Sequence, residues 1–374
     1  MILNEWSEWA QRETDSIHES GRWRAPRSLD ASGPQGTLND SGASVISFAS
    51  NDYLGLTQHP AVIDAAHKAL DRWGAGSGSA RLIVGTRPVH GELEKALAEW
   101  RNTESAVLFP TGFAANLGVF GALANKDTLI CSDELNHASI IDGTRLSPAD
   151  VSIFPHKNLN ALEELLAKRG TRRAIVVSDT VFSMDGDLAD VDDLRLICDE
   201  HSALLVLDEA HAVLGPDISS DKHDEIIRVG TLSKAVGVVG GFVAGPRIFT
   251  DLLINRARSY IFTTAPSPAD SAASLASIGV IQSAHGDELR ARLRSNIEIL
   301  RPGHPSPIIP IMCGSESKAL DASAALLERG MLVPAIRPPT VAPGTSRLRV
   351  ALSAAHTTQQ VESLRDALND LGFS

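Results

Sequence analysis

The sequence predicts an α/β protein. A large domain carries a mostly parallel sheet between helices, and a small α+β domain follows it. Three observations predict this. Short apolar runs alternate with amphipathic stretches over about 150 residues from Ala106 to Ala244. From about Ala265 long helical stretches and Pro-rich turns take over. The chain has 374 residues, 43% of them hydrophobic, which is too much for one small core. The expected division is an N-terminal arm over 1–45, the large domain over 46–265 and the small domain over 266–374.

Residues 1–45 are polar and rich in Trp, Arg, Ser and Gly, so they read as a peripheral arm with one amphipathic helix from Asn4 to Glu19, then loop. Pro60 to Trp73 reads as a helix with Ala61, Ala65, Ala69 and Trp73 on one face, and His90 to Trp100 as another, with Leu93, Leu97 and Trp100 inward. The alternation proper runs through strand Ala106–Phe109, a helix from Gly112, strand Thr128–Cys131, helix Leu159–Lys168, strand Ala174–Ser178, helix Val191–His201 and strand Ala203–Leu207. Strands Ile226–Leu232 and Gly241–Ala244 close it. Helices are then expected at Ser267–Gln282 and Asp287–Leu300, followed by turns at Pro302, Pro305, Pro307 and Pro310. A helix at Ser317–Arg329, strands Met331–Ile336 and Leu348–Ala351, and a last helix complete the chain. That last helix opens on the capping box Thr357–Gln360 and buries Val361, Leu364, Leu368 and Leu371.

Composition excludes several classes. Thirty-four Lys and Arg against 46 Asp and Glu give a net charge of −12, unsuited to nucleic acid or anionic membranes. Cys131, Cys198 and Cys313 stand far apart, so neither a disulfide framework nor a metal-ligand spacing is present, and no metal is expected. No apolar run is long enough to cross a membrane, and the first residues have no basic leader, so the expectation is a cytoplasmic protein. Gly74-Ala75-Gly76-Ser77-Gly78 follows a helix rather than a strand, which makes it a helix stop and not a dinucleotide fingerprint.

Four features fall at the carboxyl ends of expected strands, where open α/β sheets hold ligands. Asp208-Glu209-Ala210-His211 could supply metal ligands, a catalytic acid or a satisfied strand end. Lys234, in Thr231-Leu232-Ser233-Lys234, follows an apolar strand with small residues behind it; burial there would lower its pKa and make it a Schiff-base nucleophile. Thr111-Gly112-Phe113 opens a helix on small residues, where free N–H groups and the helix dipole favour an anion. His137 lies in Asn136-His137-Ala138-Ser139. An acid, a lysine, a phosphate cup and a His together are what pyridoxal 5′-phosphate (PLP) requires.

At these residues the sequence resembles the α-oxoamine synthases, a family of fold-type I PLP-dependent enzymes with the aminotransferase-like fold. The matching stretches are Asn51–Leu56, Gly76–Arg81, Thr111–Asn116, Asn136–Ser139, Val181-Phe182-Ser183-Met184-Asp185-Gly186-Asp187, Asp208–His211, Thr231–Lys234 and Arg337–Val341. The resemblance implies a PLP-dependent acyltransferase that condenses an amino acid with an acyl thioester and releases CO2. Ala335–Val341, Gly344–Arg349 and Ala354-Ala355-His356 are similar to the branch that uses L-alanine and a pimeloyl thioester, on coenzyme A or acyl carrier protein, in biotin biosynthesis. The neighbouring reading in the family is glycine with acetyl-CoA, and a reading outside it is an inert, PLP-free partner subunit.

The same resemblance implies roles. Lys234 would hold PLP as a Schiff base and act as base, Asp208 would pair with the ring nitrogen, and His211 would bond the ring oxygen. His137 would stack on the ring and Ser183 would lie beside it. Gly112, Phe113 and Thr231 would hold the phosphate, with Thr264 from a partner subunit. Arg349 would take the substrate carboxylate, with Asn51 in the substrate-binding set, while Arg22 and Thr340 would line the acyl side, Arg24 competing with Arg22. A homodimer with the site at its interface follows from the same source. The sequence departs from the family after His211, where Ala212-Val213-Leu214-Gly215 replaces a Gly-rich segment and the stretch to Thr231 is short. Ala and Val do not permit the close backbone approach that Gly does, so that wall of the site is expected to be reshaped.

Overall fold

The computed structural model describes residues 4–216, 218 and 225–373. Helix α1 (Glu5–Glu19) starts on Asn4, whose side chain accepts from the Ser7 N–H at 3.0 Å. The stretch expected to be loop instead contains a small antiparallel ribbon, β1 (Leu29–Ala31), β2 (Gln35–Leu38) and β3 (Ser44–Ser47). Strands of three or four residues with mostly exposed side chains leave too little periodicity to read. Helix α2 (Pro60–Trp73) buries Val62 and Ala69, and leaves Ala61 exposed, so its inward face is rotated from the expected one. Helix α3 (Pro88–Trp100) buries Leu93 and Leu97 completely.

The large sheet is built from β4 (Ser105–Phe109), β5 (Thr128–Asp133), β6 (Asp150–Phe154), β7 (Arg173–Asp179), β8 (Leu204–Asp208), β9 (Ile226–Thr231) and β10 (Gly241–Gly245), in the order β4-β10-β9-β8-β7-β5-β6. Only β10 runs antiparallel, to both β4 and β9. The inner strands are apolar along their length because helices cover both faces. Those helices include α4 (Gly112–Leu123), α5 (Ala138–Leu146), α6 (Leu159–Ala167), α7 (Val191–Glu200), α8 (Arg247–Arg256) and α9 (Arg258–Ile261). Sequence reasoning missed β6, α5, α8 and α9. Edge strand β6 turns Val151 and Ile153 outward, so its apolar residues never joined a core pattern. From β5 the chain steps outward to β6, then returns to the other side as β7. This reversal opens a crevice at the carboxyl ends of β5 and β7, the place where such sheets bind ligands.

The remainder comprises α10 (Pro268–Ile281), α11 (Ala284–Leu300), β11 (Ile308–Gly314), α12 (Glu316–Glu328), β12 (Met331–Leu332), β13 (Ala335–Ile336), β14 (Ser346–Ala351) and α13 (Thr358–Asp370). Sheet β11-β14-β13 is antiparallel, and β12 pairs in parallel with β3 of the arm. The single strand expected over Met331–Ile336 is two, split at Pro334, which has no N–H to give a ladder. What read as Pro-rich turn contains β11, an edge strand that tolerates Pro310. One apolar cluster joins Phe48, Tyr53, Leu93 and Phe242 to Leu293, Leu348 and Leu364, so β14 and its neighbours are packed directly on the large sheet's helices.

The capping box of α13 is present as read: Gln360 N–H donates to Thr357 Oγ1 at 3.2 Å and Thr357 N–H to Gln360 Oε1 at 3.0 Å. Thr357→Ala is expected to cost about 1 kcal/mol, read as a lower urea midpoint with an unchanged slope.

Candidate active site

Three strand ends supply the charged groups. Asp179 ends β7 and Asp208 ends β8, directly opposite each other in the parallel register. Lys234 sits in the tight loop after β9, where Leu232 N–H bonds Gly240 O at 2.9 Å and Gly237 N–H bonds Lys234 O at 2.9 Å. Gly237 has φ +77°, and a Cβ there would come within 2.8 Å of the Thr57 nitrogen, so the loop can press against Leu56–Thr57 only with Gly.

The Lys234 ammonium is pulled below its ordinary pKa by burial, against the attraction of Asp208 and Asp179, with Arg349 adding to the fall. Its Nζ lies 2.9 Å from His211 Nε2, and His211 Nδ1 lies 2.6 Å from the Tyr53 hydroxyl. Burial first, then Lys234 and Arg349, push His211 well down, so the ring is neutral. One tautomer satisfies every group: Lys234 donates to Nε2, Nδ1–H donates to Tyr53 Oη, and the Tyr53 hydroxyl donates to Asn51 Oδ1 at 3.0 Å. Burial pushes the Tyr53 phenol up to about 12, which keeps that proton in place.

His137 caps α5, its Nδ1 accepting from Ser139 N–H at 3.2 Å and lying 2.7 Å from Ser139 Oγ. Asn116 Nδ2 donates to Ser139 Oγ at 2.9 Å, so the hydroxyl proton goes to His137. Burial, then Lys234, lowers the His137 pKa against the pull of Asp208, and the ring is neutral with its proton on Nε2. The His137 N–H bonds Asp179 Oδ2 at 2.9 Å. Asp179 is raised well above the carboxylate range by burial and by Asp208 beside it. Asn136 sews this floor together, accepting from Asp179 N–H at 2.8 Å and donating to Ser132 Oγ and Val177 O at 2.9 Å.

Asp208 Oδ2 accepts from Asn116 Nδ2 at 2.7 Å and Oδ1 from Ala210 N–H at 2.9 Å. At the opening of α4, Thr111 Oγ1 takes the Ala114 N–H at 3.0 Å, leaving the Gly112 and Phe113 N–H groups ahead of the first hydrogen-bonded turn. A Cβ on Gly112 would come 3.1 Å from Thr231 Cβ, and one on Gly241 would fall 2.3 Å from the Thr111 carbonyl carbon. Gly241 is therefore required for the chain to pass beneath the cup, while a side chain at Gly112 would crowd Thr231. Thr231 Oγ1 meets Ser233 Oγ at 2.8 Å on its rim.

Arg349, on β14, reaches over from the small sheet. Its Nε donates to Ser183 O at 2.6 Å, and Nη1 and Nη2 share Asn51 Oδ1 at 3.3 and 3.2 Å. Arg347 alongside it pairs with Asp185. The structure thus brings together two hydrogen-bonded groups, Lys234–His211–Tyr53–Asn51–Arg349–Ser183 and Asp208–Asn116–Ser139–His137, coupled by the attraction of Lys234 for Asp208, with Gly112, Phe113 and Thr231 forming the cup. It brings Arg24, not Arg22, to Thr340: Arg24 Nη2 is 3.4 Å from Thr340 Oγ1, while Arg22 is taken by Glu316 at 2.8 Å. Thr264 sits in a bridge with Ala80, and among the described residues no hydrogen bond joins it to the cup of its own chain.

Tyr53, Asn116, Ser139 and Asp179 were not singled out in the sequence. Each lay in or beside a matching stretch, but a residue that bonds another side chain rather than a ligand carries no local signal. Of the segment expected to reshape the wall, Val213 and Leu214 pack against the main core, with Val213 N–H on His211 O at 2.9 Å, while residues 217 and 219–224 lie outside the described residues. Behind it lies a cavity of about 900 Å³ lined by Arg101, Glu209, Arg228 and Arg294, which none of Lys234, Asp208 and His137 lines.

These residues fit PLP. A deprotonation-prone lysine, a fixed carboxylate and an N–H cup are its three requirements, and Asn116 Oδ1 is a buried acceptor with no partner beside Asp208. Asn116→Ala would leave Asp208 Oδ2 without its donor, and is expected to weaken PLP binding about tenfold, read by quenching of protein fluorescence on PLP titration.

Residues 43–368 match the family model for aminotransferase class I and II. A relative from Anaeromyxobacter dehalogenans named 8-amino-7-oxononanoate synthase is 45% identical, covering 96% of this chain and 94% of its own. One of the same name from Bordetella petrii is 44% identical over 88% of this chain and 89% of its own. Among solved structures, serine palmitoyltransferase from S. paucimobilis with a bound PLP–myriocin aldimine superposes with a TM-score of 0.89 at 30% identity over the whole of both chains. The 8-amino-7-oxononanoate synthase of Francisella tularensis gives 0.73 at 27% identity, over 89% of this chain and 98% of that one. Sequence and fold agree across nearly the full length, and the chain belongs to the aminotransferase class I and II family of PLP-dependent enzymes.

Proposed function

We propose that the protein joins L-alanine to a pimeloyl thioester, giving 8-amino-7-oxononanoate, CO2 and the free thiol of the carrier, a step of biotin biosynthesis. The observation that carries this is the 45% identity to 8-amino-7-oxononanoate synthase over 96% of the chain, against 30% to serine palmitoyltransferase. The fold is common to both, so identity and not superposition separates them.

In this reading Lys234, Asp208, His211, His137 and Ser183 surround the PLP ring, and Gly112, Phe113 and Thr231 hold its phosphate. Bound PLP supplies an electron sink for negative charge at the amino acid α-carbon. Burial makes the Lys234 amine easier to deprotonate than an exposed lysine, which suits it to take the α-proton and return one after CO2 leaves. His137, neutral with Nε2–H directed away from its Ser139 contacts, donates to the thioester oxygen as the new C–C bond forms. Arg349 offers two nitrogens that now share one oxygen at 3.2–3.3 Å, and a substrate carboxylate would give each its own. Thr340 and Arg24 are assigned to the acyl side, in place of Arg22.

We place the site at the interface of a homodimer. Leu82, Ile83, Val84, Val239 and Phe262 are all exposed, and they flank the Ala80–Thr264 bridge and the lysine loop. Three free, buried cysteines fit a reducing cytoplasm.

Two measurements test these readings. L-alanine is expected to shift the visible PLP band at lower concentration than glycine or L-serine, and pimeloyl thioester then to release thiol; faster turnover of glycine with acetyl-CoA would overturn the assignment. If the partner supplies Thr264, mixing refolded Lys234→Ala and Thr264→Ala chains restores activity that neither has alone.

A further inference from the structure

His156 lies outside the residues assigned to the reaction, in the turn after β6. Its Nδ1 is 3.0 and 3.1 Å from the two carboxylate oxygens of Asp133, and its Nε2 is 3.0 Å from Asp187 Oδ2. A neutral imidazole has one N–H; two carboxylates facing both nitrogens require two. The ring stands edge-on to Phe182, with centroids 4.3 Å apart.

Both carboxylates belong to segments that carry the site. Asp133 ends β5, three residues before Asn136, and is otherwise held by the Leu135 and Lys157 N–H groups at 2.9 and 3.0 Å. Asp187 closes the turn that begins at Phe182, with Phe182 N–H on Asp187 O at 3.0 Å. Ser183, in that turn, gives its carbonyl to Arg349. Among the described residues His156 makes the one hydrogen bond to the Asp187 carboxylate, whose Oδ1 is buried without a partner.

We propose that His156 is a positioning residue: as an imidazolium it clamps the end of β5 to the Ser183–Asp187 turn and thereby fixes Arg349 and His137 for the amino acid substrate. This rests on the proposed function. The groups facing the clamp are Asp133 and Glu134 from the end of β5, and Lys157, 3.9 Å from Asp187. Asp185, neutralised by Arg347, lies in the turn, and His304 and Arg301 approach from the loop after α11. Burial opposes the charged ring, but the hydrogen bonds to Asp133 and Asp187 outweigh it and hold the His156 pKa above the ordinary 6.5. The clamp is therefore complete below that value and is lost as pH rises through the raised one.

The test compares PLP-loaded wild type, His156→Gln and His156→Arg. At low pH the L-alanine dissociation constant of His156→Gln is expected to be about tenfold that of wild type. That ratio is expected to fall to one at high pH, where the wild-type ring has lost its charge. The arginine, with two donors and a fixed charge, restores tight binding at every pH. Nitrogen-15 histidine spectra are expected to show a charged His156 at about pH 6, below the ordinary histidine value. A ratio of one at low pH, a ratio flat with pH, or a neutral ring overturns the clamp. Should the glutamine variant fail to fold, Asp187→Asn replaces it with the same expectations. If wild type itself ignores L-alanine, the proposed substrate fails, and the charge state of His156 still decides the clamp.

Discussion

Two buried carboxylates side by side set the terms for this site. Asp179 and Asp208 face each other at the ends of adjacent parallel strands, where burial and the neighbouring Asp208 oppose ionisation of Asp179. Lys234 answers them across the crevice, and it is itself too buried to keep its full basicity. Neither sign of charge is comfortable without the other. The polar groups around them bond one member each: Asn116 and the Ala210 N–H bond Asp208, the His137 N–H bonds Asp179, and His211 meets Lys234. The water-poor setting that makes this costly also lowers the basicity of the Lys234 amine.

The small sheet is bound to this arrangement by charge as well as by packing. Arg347 and Arg349 are alternate residues on one face of β14, both buried, and both reach the Ser183–Asp187 turn. A separation of the two units would strip two guanidinium groups of their partners as well as open the shared apolar cluster. The proposed carboxylate site is thus built where the two units are least free to move apart, which favours precise placement of a small amino acid.

The large sheet was legible because its strands are apolar throughout and end in chemistry: Leu204–Asp208 and Ile226–Thr231 announce both a buried strand and the residues that follow it. The four strand-end features read from the sequence converge in space for the same reason, since parallel strands put their carboxyl ends on one edge. What escaped reading has a physical cause in each case. Edge strand β6 faces its apolar residues to the outside, the arm's ribbon is too short for a period, and Pro310 disguised an edge strand as a turn. Asn116, Asp179 and Tyr53 act by bonding other side chains, a relation between distant residues that no local pattern encodes. The sequence left Arg22 and Arg24 competing because they stand two residues apart in a weakly patterned arm; in the structure Arg24 meets Thr340 and Arg22 pairs with Glu316.

The close superposition on serine palmitoyltransferase and the higher identity to 8-amino-7-oxononanoate synthases are compatible once the layers are separated. Backbone shape follows the sheet order, the helix cover and the Gly-dependent cup, all of which serve PLP and none of which sees the acyl chain. Substrate choice must then reside in the parts that the sheet does not dictate. In the proposed reading those are the arm that brings Arg24 to Thr340, and the wall after His211, where Val213 and Leu214 pack against the main core. A packed apolar wall discriminates by volume, worth only a few kcal/mol per misfit group, whereas a guanidinium pair discriminates by whether a carboxylate is present at all. For the proposed substrate, the distal carboxylate of the pimeloyl chain is the feature that Arg24 in the arm, rather than the apolar wall, is suited to read.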